Sequence, residues 1–127
     1  MPIKMIIMVR RKSGLSPEAF RHGYETSHSR IAVELFGHLW LSYRRNYLSA
    51  ARRFGTPPAG GGPASIDDIG FDAISEYVLR DEAALVEMSR IGQANVQRIK
   101  EDEALWFDQI HCFSCRCETI EEDLGIG

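Results

Sequence analysis

The stretch IKMIIMVRRKSGLSPEAF, Ile3–Phe20, carries the signal that decides the fold. Its first part, through Lys12, is β-branched and apolar with a charged end, which is typical of a β-strand. Ser16 is a favoured helix N-cap, and Pro17 suits the first helical position because a backbone N–H would have no partner there. The stretch therefore predicts a strand followed at once by a helix, which we expect to end near Gly37.

The rest of the chain repeats this arrangement with an extra strand. Alternating or apolar segments predict strands over Leu39–Ser49, Phe71–Asp81 and Ile110–Ile120, and Asp81–Asp108 reads as helix interrupted near Gly92. The order strand, helix, strand, strand, helix, strand is that of the α+β ferredoxin-like βαββαβ fold, an antiparallel sheet with both helices on one face. The other face would carry apolar side chains, so we expect a second copy to cover it in a dimeric α+β barrel.

Residues 51–68 are rich in Gly and Pro and show no hydrophobic period. The segment is longer than a connection between two strands needs. Its Gly60-Gly61-Gly62 run offers no side chains for packing. We therefore expect a flexible loop that covers the entrance of a ligand pocket.

Length and composition point to one domain over residues 1–127, since 44% hydrophobic residues suffice for a single core. The formal net charge of -3 gives no electrostatic reason to expect a nucleic-acid or membrane partner. The first apolar run is short and is followed by charge, unlike a signal peptide, so a cytoplasmic protein is expected.

The cysteines Cys112, Cys115 and Cys117 are odd in number and close together, unlike a disulfide framework. In a strand, Cys112 would lie on one face and the other two on the opposite face with His111. Neighbours on one face of a straight strand are too far apart for a compact tetrahedral metal site, so we expect buried or half-buried thiols and no metal.

His28 is the first candidate for chemistry. On an α-helix it lies in one apolar stripe with the following residues: Phe20, Tyr24, Ile31, Leu35 and Leu39. A histidine on a buried face is either a core residue bonded to a carbonyl or carboxylate, or an acid/base group that titrates near neutral pH. Periodicity alone leaves both interpretations open.

Further candidates lie on the predicted strands. Tyr43 and Tyr47 share one face and are either core aromatics or phenols that orient a substrate. Glu76 would either assist the imidazole as a second acid/base group or form a structural salt bridge with Arg10 or Arg45.

The basic cluster Arg44, Arg45, Arg52 and Arg53 is either solvated surface or a device that attracts a carboxylate or phenolate substrate.

Three segments resemble the EthD-domain family. They are RRKSGLSPEAFRHGYETSHSRIA at 10–32, with Tyr24 and His28 as its aromatic residue and histidine, FDAISEYVLRD at 71–81, and EDEALWFD at 101–108. In the last segment Trp106 or Phe107 stands at the family's aromatic position. The likeness covers nearly the whole chain except the Gly/Pro segment.

The resemblance implies a dimeric α+β barrel with a ligand pocket between sheet and helices in each subunit. It also implies proton-transfer chemistry without metal or organic cofactor on a small apolar, aromatic, polyketide or lactone-like substrate. We therefore expect a homodimeric isomerase, dehydratase or cyclase whose catalytic residues are His28, Tyr43 and Glu76. The expected substrate-binding residues are Tyr24, Tyr47, Arg45, Trp106 and Phe107.

Two alternatives stay open at this point. One is a cofactor-independent oxygenase of the same architecture acting on an electron-rich phenol. The other is a non-catalytic binding or accessory protein that holds a pathway intermediate.

Overall fold

The structure is a computed structural model that describes residues 1–56 and 60–125. In chain order its elements are β1 (Ile3–Val9), α1 (Pro17–Gly23), α2 (Ser29–Phe36), β2 (Trp40–Tyr47), β3 (Ala51–Arg53), β4 (Gly62–Ala64), α3 (Ile66–Ile69), β5 (Ala73–Leu79), α4 (Glu82–Ala94), α5 (Val96–Trp106) and β6 (Phe113–Cys117). Four strands form an antiparallel sheet in the order β2-β5-β1-β6. The predicted α+β ferredoxin-like fold is confirmed.

Strand alternation divides this sheet into a helix face and an open face. Tyr77 of β5 lies opposite Met5 of β1 and Tyr43 of β2, and these side chains belong to the core beneath the helices. Glu76, one residue earlier, lies opposite Ile6 and belongs to the open face. Two clusters of buried residues fill the helix face: Ile3, Leu39, Tyr77, Leu79 and Ala84, and Val9, Phe20, Tyr24, Ala73 and Phe107.

The first helical segment begins as predicted and then departs from a regular α-helix. Ser16 Oγ accepts a hydrogen bond from the Ala19 amide at 3.0 Å. Between α1 and α2 the chain makes a π-turn, Tyr24–His28. This turn holds more residues than an α-turn, so the buried positions shift. Ser29 and Phe36 are buried after it, whereas the predicted stripe positions Ile31 and Leu35 are only half-buried.

The described part of residues 51–68 contains two short strands and one short helix. β3 and β4 pair as a separate antiparallel ribbon. α3 follows, with Ser65 and Asp68 forming a reciprocal capping box at its start. Residues 57–59, which belong to the expected loop, lie outside the described residues.

The other predicted boundaries need small corrections. The break between α4 and α5 falls at Asn95, three residues beyond Gly92. β6 begins at Phe113, after a short 3-10 turn, Gln109–His111, so strand alternation does not apply to His111 or Cys112.

The three cysteines are free thiols; Cys112 and Cys117 are half-buried and Cys115 is exposed. Over residues 1–56 and 60–125, no group of three or more His, Cys, Asp or Glu side chains is placed to hold a metal ion. None of the helices in the same ranges combines the length and apolar composition that a membrane crossing requires.

Candidate active site

A cavity of about 280 Å³ lies between the helices and the helix face of the sheet. It extends across all four main strands, since its wall includes Tyr43 of β2, Tyr77 of β5, Ile7 of β1 and Ser114 of β6. Apolar and aromatic side chains form most of this wall, and His28 reaches it from the π-turn. A concave apolar site with a few polar groups is the usual form of a small-molecule pocket.

His28 is held by a carboxylate that is itself buried. Its Nδ1 lies 2.9 Å from Asp102 Oδ2, and only 13% of the His28 side chain and 10% of the Asp102 side chain are exposed. Ser27 Oγ donates to the other Asp102 oxygen at 2.6 Å. A carboxylate at Nδ1 favours the tautomer with the proton on that nitrogen. Nε2 is then left as the proton acceptor.

Two phenols lie in the same pocket. The Tyr24 hydroxyl shares a hydrogen bond of 2.8 Å with Ser75 Oγ, and its ring centroid lies 6.1 Å from that of His28. Burial raises the pKa of Tyr24 far above its usual value and also raises the pKa of Tyr43. Both groups therefore stay protonated at neutral pH and act as neutral hydrogen-bond donors.

The structure brings four of the predicted site residues to this cavity: His28, Tyr24, Tyr43 and Phe107. Phe107 packs its ring 4.8 Å from the imidazole. Trp106 does not line the cavity, because it lies against Gly23, where an added Cβ would approach its ring to 2.2 Å. Phe107 is therefore the aromatic residue that reaches the pocket.

Arg45 and Tyr47 lie beside the cavity rather than in its wall. Both donate to Glu25 of the π-turn: Arg45 Nε and the Tyr47 hydroxyl at 2.5 Å, and Arg45 Nη2 at 2.8 Å. These bonds lower the pKa of Glu25 to about 2, with the Arg45 contact as the main cause. The Arg45 guanidinium also lies 4.7 Å from the centre of the Tyr43 ring. Arg45, which was expected to bind the substrate, is thus paired with Glu25 of the same chain and packs against Tyr43.

Glu76 is not brought to His28. Its carboxylate lies on the open face, 3.6 Å from Lys4 Nζ and 3.7 Å from Arg44 Nη1. The physical reason is strand alternation, since Tyr77 takes the helix face and Glu76 must point the other way. Glu76 does form salt bridges, which was one of the two predicted roles. Its partners are Lys4 and Arg44 instead of the expected Arg10 or Arg45.

Asp102 is the site residue that the sequence interpretation missed. A weak signal exists, because Ile99 and Trp106 stand three residues before it and four after it and would share its side of a helix. An acidic residue between apolar positions on one helix face calls for a buried partner. Which partner it finds depends on how α5 packs against the π-turn.

None of the described residues in 51–68 lines the cavity, and the expected loop over its entrance stays a prediction. Ile66 instead borders a separate groove beside Phe20 and Arg21.

Comparison with known proteins gives a family match. The family model of the EthD domain matches residues 12–110. No curated protein matches the sequence.

Several solved structures share the fold. An EthD family protein from Bacillus halodurans superposes with a TM-score of 0.59 at 16% identity, covering 94% of this chain and 100% of its own. An EthD-like protein from Ralstonia eutropha JMP134 gives 0.59 at 16% identity, with 98% and 96% covered. The protein At3g17210 from Arabidopsis thaliana gives 0.57 at 12% identity, with 96% and 99% covered. At these identities the likeness concerns the fold alone.

Proposed function

The chain belongs to the EthD domain family, and from this premise we propose that it is an enzyme that transfers protons on a small apolar, aromatic or lactone-like substrate. The reaction class is isomerisation, dehydration or cyclisation, with no metal or organic cofactor. The observation that carries the proposal is the buried His28–Asp102 pair in the wall of an apolar cavity. Such chemistry needs a side chain that can take up and return a proton, in a pocket that keeps solvent away from the substrate.

His28 is the general base and acid in this mechanism. Asp102 accepts a hydrogen bond from Nδ1–H, so Nε2 is the nitrogen that takes a proton from a substrate C–H or O–H bond. The adjacent carboxylate stabilises the resulting imidazolium, which returns the proton at another atom of the substrate.

Tyr43 supplies the hydrogen bond that stabilises the developing enolate or alkoxide. Tyr24 is the alternative phenol, and its hydroxyl shares a hydrogen bond with Ser75. A neutral phenol in a site that excludes water is an effective donor to an oxyanion. The Arg45–Glu25 pair, packed on the Tyr43 ring, fixes the orientation of that phenol.

Replacement of His28 tests the proposal. His28→Gln keeps the approximate shape but removes the imidazole that carries the proton, so turnover falls by about 10² to 10⁴, the usual scale for general acid/base groups. Turnover is measured as solvent deuterium entering aromatic lactones and β-diketones, followed by NMR. Tyr43→Phe gives a smaller loss, because the proton carrier remains.

His22→Gln is the matched control, since His22 is an exposed histidine of α1. It retains the parental rate. A folded His28→Gln variant with full turnover contradicts the enzyme proposal. Oxygen uptake with phenolic substrates would favour the oxygenase alternative, and a bound ligand returned unchanged would favour the binding protein.

We further propose that two copies pair through the open face of the sheet as an α+β barrel. This face carries Ile6, Met8 and Ile74 at half-buried positions next to the exposed Phe113. Covering such side chains removes apolar surface from water. Sedimentation at micromolar concentration should give a dimer, and Ile74→Arg should give a monomer. A stable monomer of the parent protein contradicts this arrangement.

A further inference from the structure

The cavity has two chemically different ends. At the end near β2, the Trp40 ring stacks on Tyr77 with centroids 4.8 Å apart and an angle of 20° between the planes. The Tyr43 ring lies 4.7 Å from Trp40, and Phe36 lies 5.8 Å from it. We call these four residues the aromatic end. Flat rings packed in this way form a wall that suits a flat apolar ligand.

The opposite end, near β6, is a hydrogen-bonded set of three polar residues. Lys100 Nζ lies 3.1 Å from Glu103 Oε1. The Gln109 amide donates to the Lys100 carbonyl at 3.2 Å and to the same Glu103 oxygen at 3.4 Å. We call Lys100, Glu103 and Gln109 the polar rim. All three line the cavity that contains His28.

The one cation of the polar rim, Lys100, is already paired with Glu103, so an anion would meet a rim with no net positive charge. Among the described residues of the cavity wall, Lys100 and Glu103 are the only Lys, Arg, Asp or Glu side chains, and they pair with each other. Asp102, behind His28, adds a further negative charge. A ligand carboxylate at the rim would approach the half-buried Glu103 carboxylate, and the one cation nearby is already paired with that carboxylate.

The arginines Arg44 and Arg45 add no positive charge to the cavity wall. Arg45 is held by Glu25, and Arg44 lies on the open face near Glu76. Neither residue lines the cavity. An uncharged hydroxyl, by contrast, suits the rim well, because it can donate to Glu103 while it accepts from Lys100 or Gln109.

We propose that the cavity selects flat, neutral aromatic compounds that carry a hydroxyl group facing the polar rim, and that it discriminates against aromatic carboxylates. The aromatic end holds the ring system, and Glu103 is the residue that determines the specificity. This inference rests on the proposed function in using the same cavity, but it concerns binding, which requires no turnover.

Three probes with one ring system test the proposal: naphthalene, 2-naphthol and 2-naphthoate, with binding followed by their fluorescence at neutral pH. The parent protein should bind 2-naphthol about tenfold more tightly than naphthalene, the scale of one hydrogen bond to a charged group. It should bind 2-naphthoate most weakly. Binding of 2-naphthoate as tightly as 2-naphthol, or of none of the probes, overturns the proposal.

A variant that removes the negative charge of the polar rim sharpens the test. Glu103→Gln preserves the side-chain shape but leaves the Lys100 ammonium without its partner, so 2-naphthoate should gain about tenfold in affinity and 2-naphthol should lose about as much. Glu101→Gln is the matched control, because Glu101 is an exposed residue of the same helix that binds Gln97 and does not line the cavity. It should keep the parental order of the probes.

Equal behaviour of the Glu103→Gln and Glu101→Gln variants overturns the role of Glu103. The outcome is separate from that of the proposed function. A fully active His28→Gln variant would refute acid/base catalysis without altering the order in which the parent protein binds the three probes.

Discussion

The two faces of the sheet are built from alternate residues of the same strands, yet they treat polar groups in opposite ways. On the helix face, Ser75 is fully buried and bonded to Tyr24, and Arg45 makes a two-point contact with Glu25. On the open face, the Glu76 carboxylate has cations only at 3.6 and 3.7 Å. The helix face thus has defined polar geometry, and the open face has loose ion pairing.

This difference follows from access to water. Under the helices an unpaired polar group is costly, and the side chains of Tyr24 and Arg45 are each held in a fixed position by a partner, although the indole N–H groups of Trp40 and Trp106 are buried without one. On the open face of a single chain solvent can replace a partner, and the ion pairs are worth little. A pocket that requires fixed proton donors and acceptors is therefore expected on the helix face, where His28, Tyr24 and Tyr43 lie.

The largest expected contrast between the faces is in core packing. Phe20 is 1% exposed on the helix side, whereas Phe113 of β6 is 54% exposed. Phe20→Ala should lower the free energy of unfolding by about 3–5 kcal/mol, because it leaves a cavity. Phe113→Ala, measured in the Ile74→Arg background that keeps the chain monomeric, should cost under about 1 kcal/mol. Denaturant unfolding measures both, and equal losses would contradict the assignment of the faces.

A smaller contrast concerns acid stability. The pKa of Glu25 is lowered from 4.5 to about 2 in the folded state. Its contribution to stability is therefore present above pH 4.5 and is lost as the pH falls toward 2. Glu25 is partly exposed, so screening reduces the effect to about 1 kcal/mol. Glu25→Gln should flatten the decline of unfolding free energy in this window.

Glu101→Gln is the control for the stability measurement at low pH, since it removes an exposed carboxylate that does not contact Arg45. This variant should retain the parental slope. A Glu25→Gln variant with an unchanged slope would show that the Arg45 contact contributes nothing to folding.

The smallest expected effect is at Glu76 on the open face. Glu76→Gln removes two long ion-pair contacts and should change the free energy of unfolding by under about 0.5 kcal/mol. Turnover should match that of the parent protein. A loss of turnover comparable with that of His28→Gln would mean that Glu76 takes part in the reaction. It would contradict the conclusion that the catalytic side chains lie on the helix face alone.

Local signals predicted much of the fold. The Ser16–Pro17 helix start depends only on the side chain and the ring at those positions, and the structure confirms it. The pairing order of the strands likewise follows from the element order. The π-turn Tyr24–His28 was not predicted, because 3.6-residue periodicity assumes regular turns. Its shift explains why Phe36 is buried where Leu35 was expected.

The candidate site was predicted in part. His28 was placed correctly on the inner side of the helix, since an apolar stripe must face the sheet. The carboxylate next to His28 was not predicted correctly. Glu76 was chosen because it lies on a central strand, without regard to the face of the sheet on which its side chain lies. Asp102, seventy-four residues along the chain, meets His28 only through the packing of α5 on the π-turn.

The sequence by itself determined the βαββαβ order, the helix starts and the presence of an inward histidine, because these depend on residue types and their spacing along the chain. Only the tertiary structure decided that Asp102 holds His28, that Arg45 is neutralised by Glu25, and that Glu76 faces away from the cavity. Such contacts join distant segments, and a shift of one residue in a strand or turn reverses them. Local pattern fixes which elements form, and packing fixes which side chains meet.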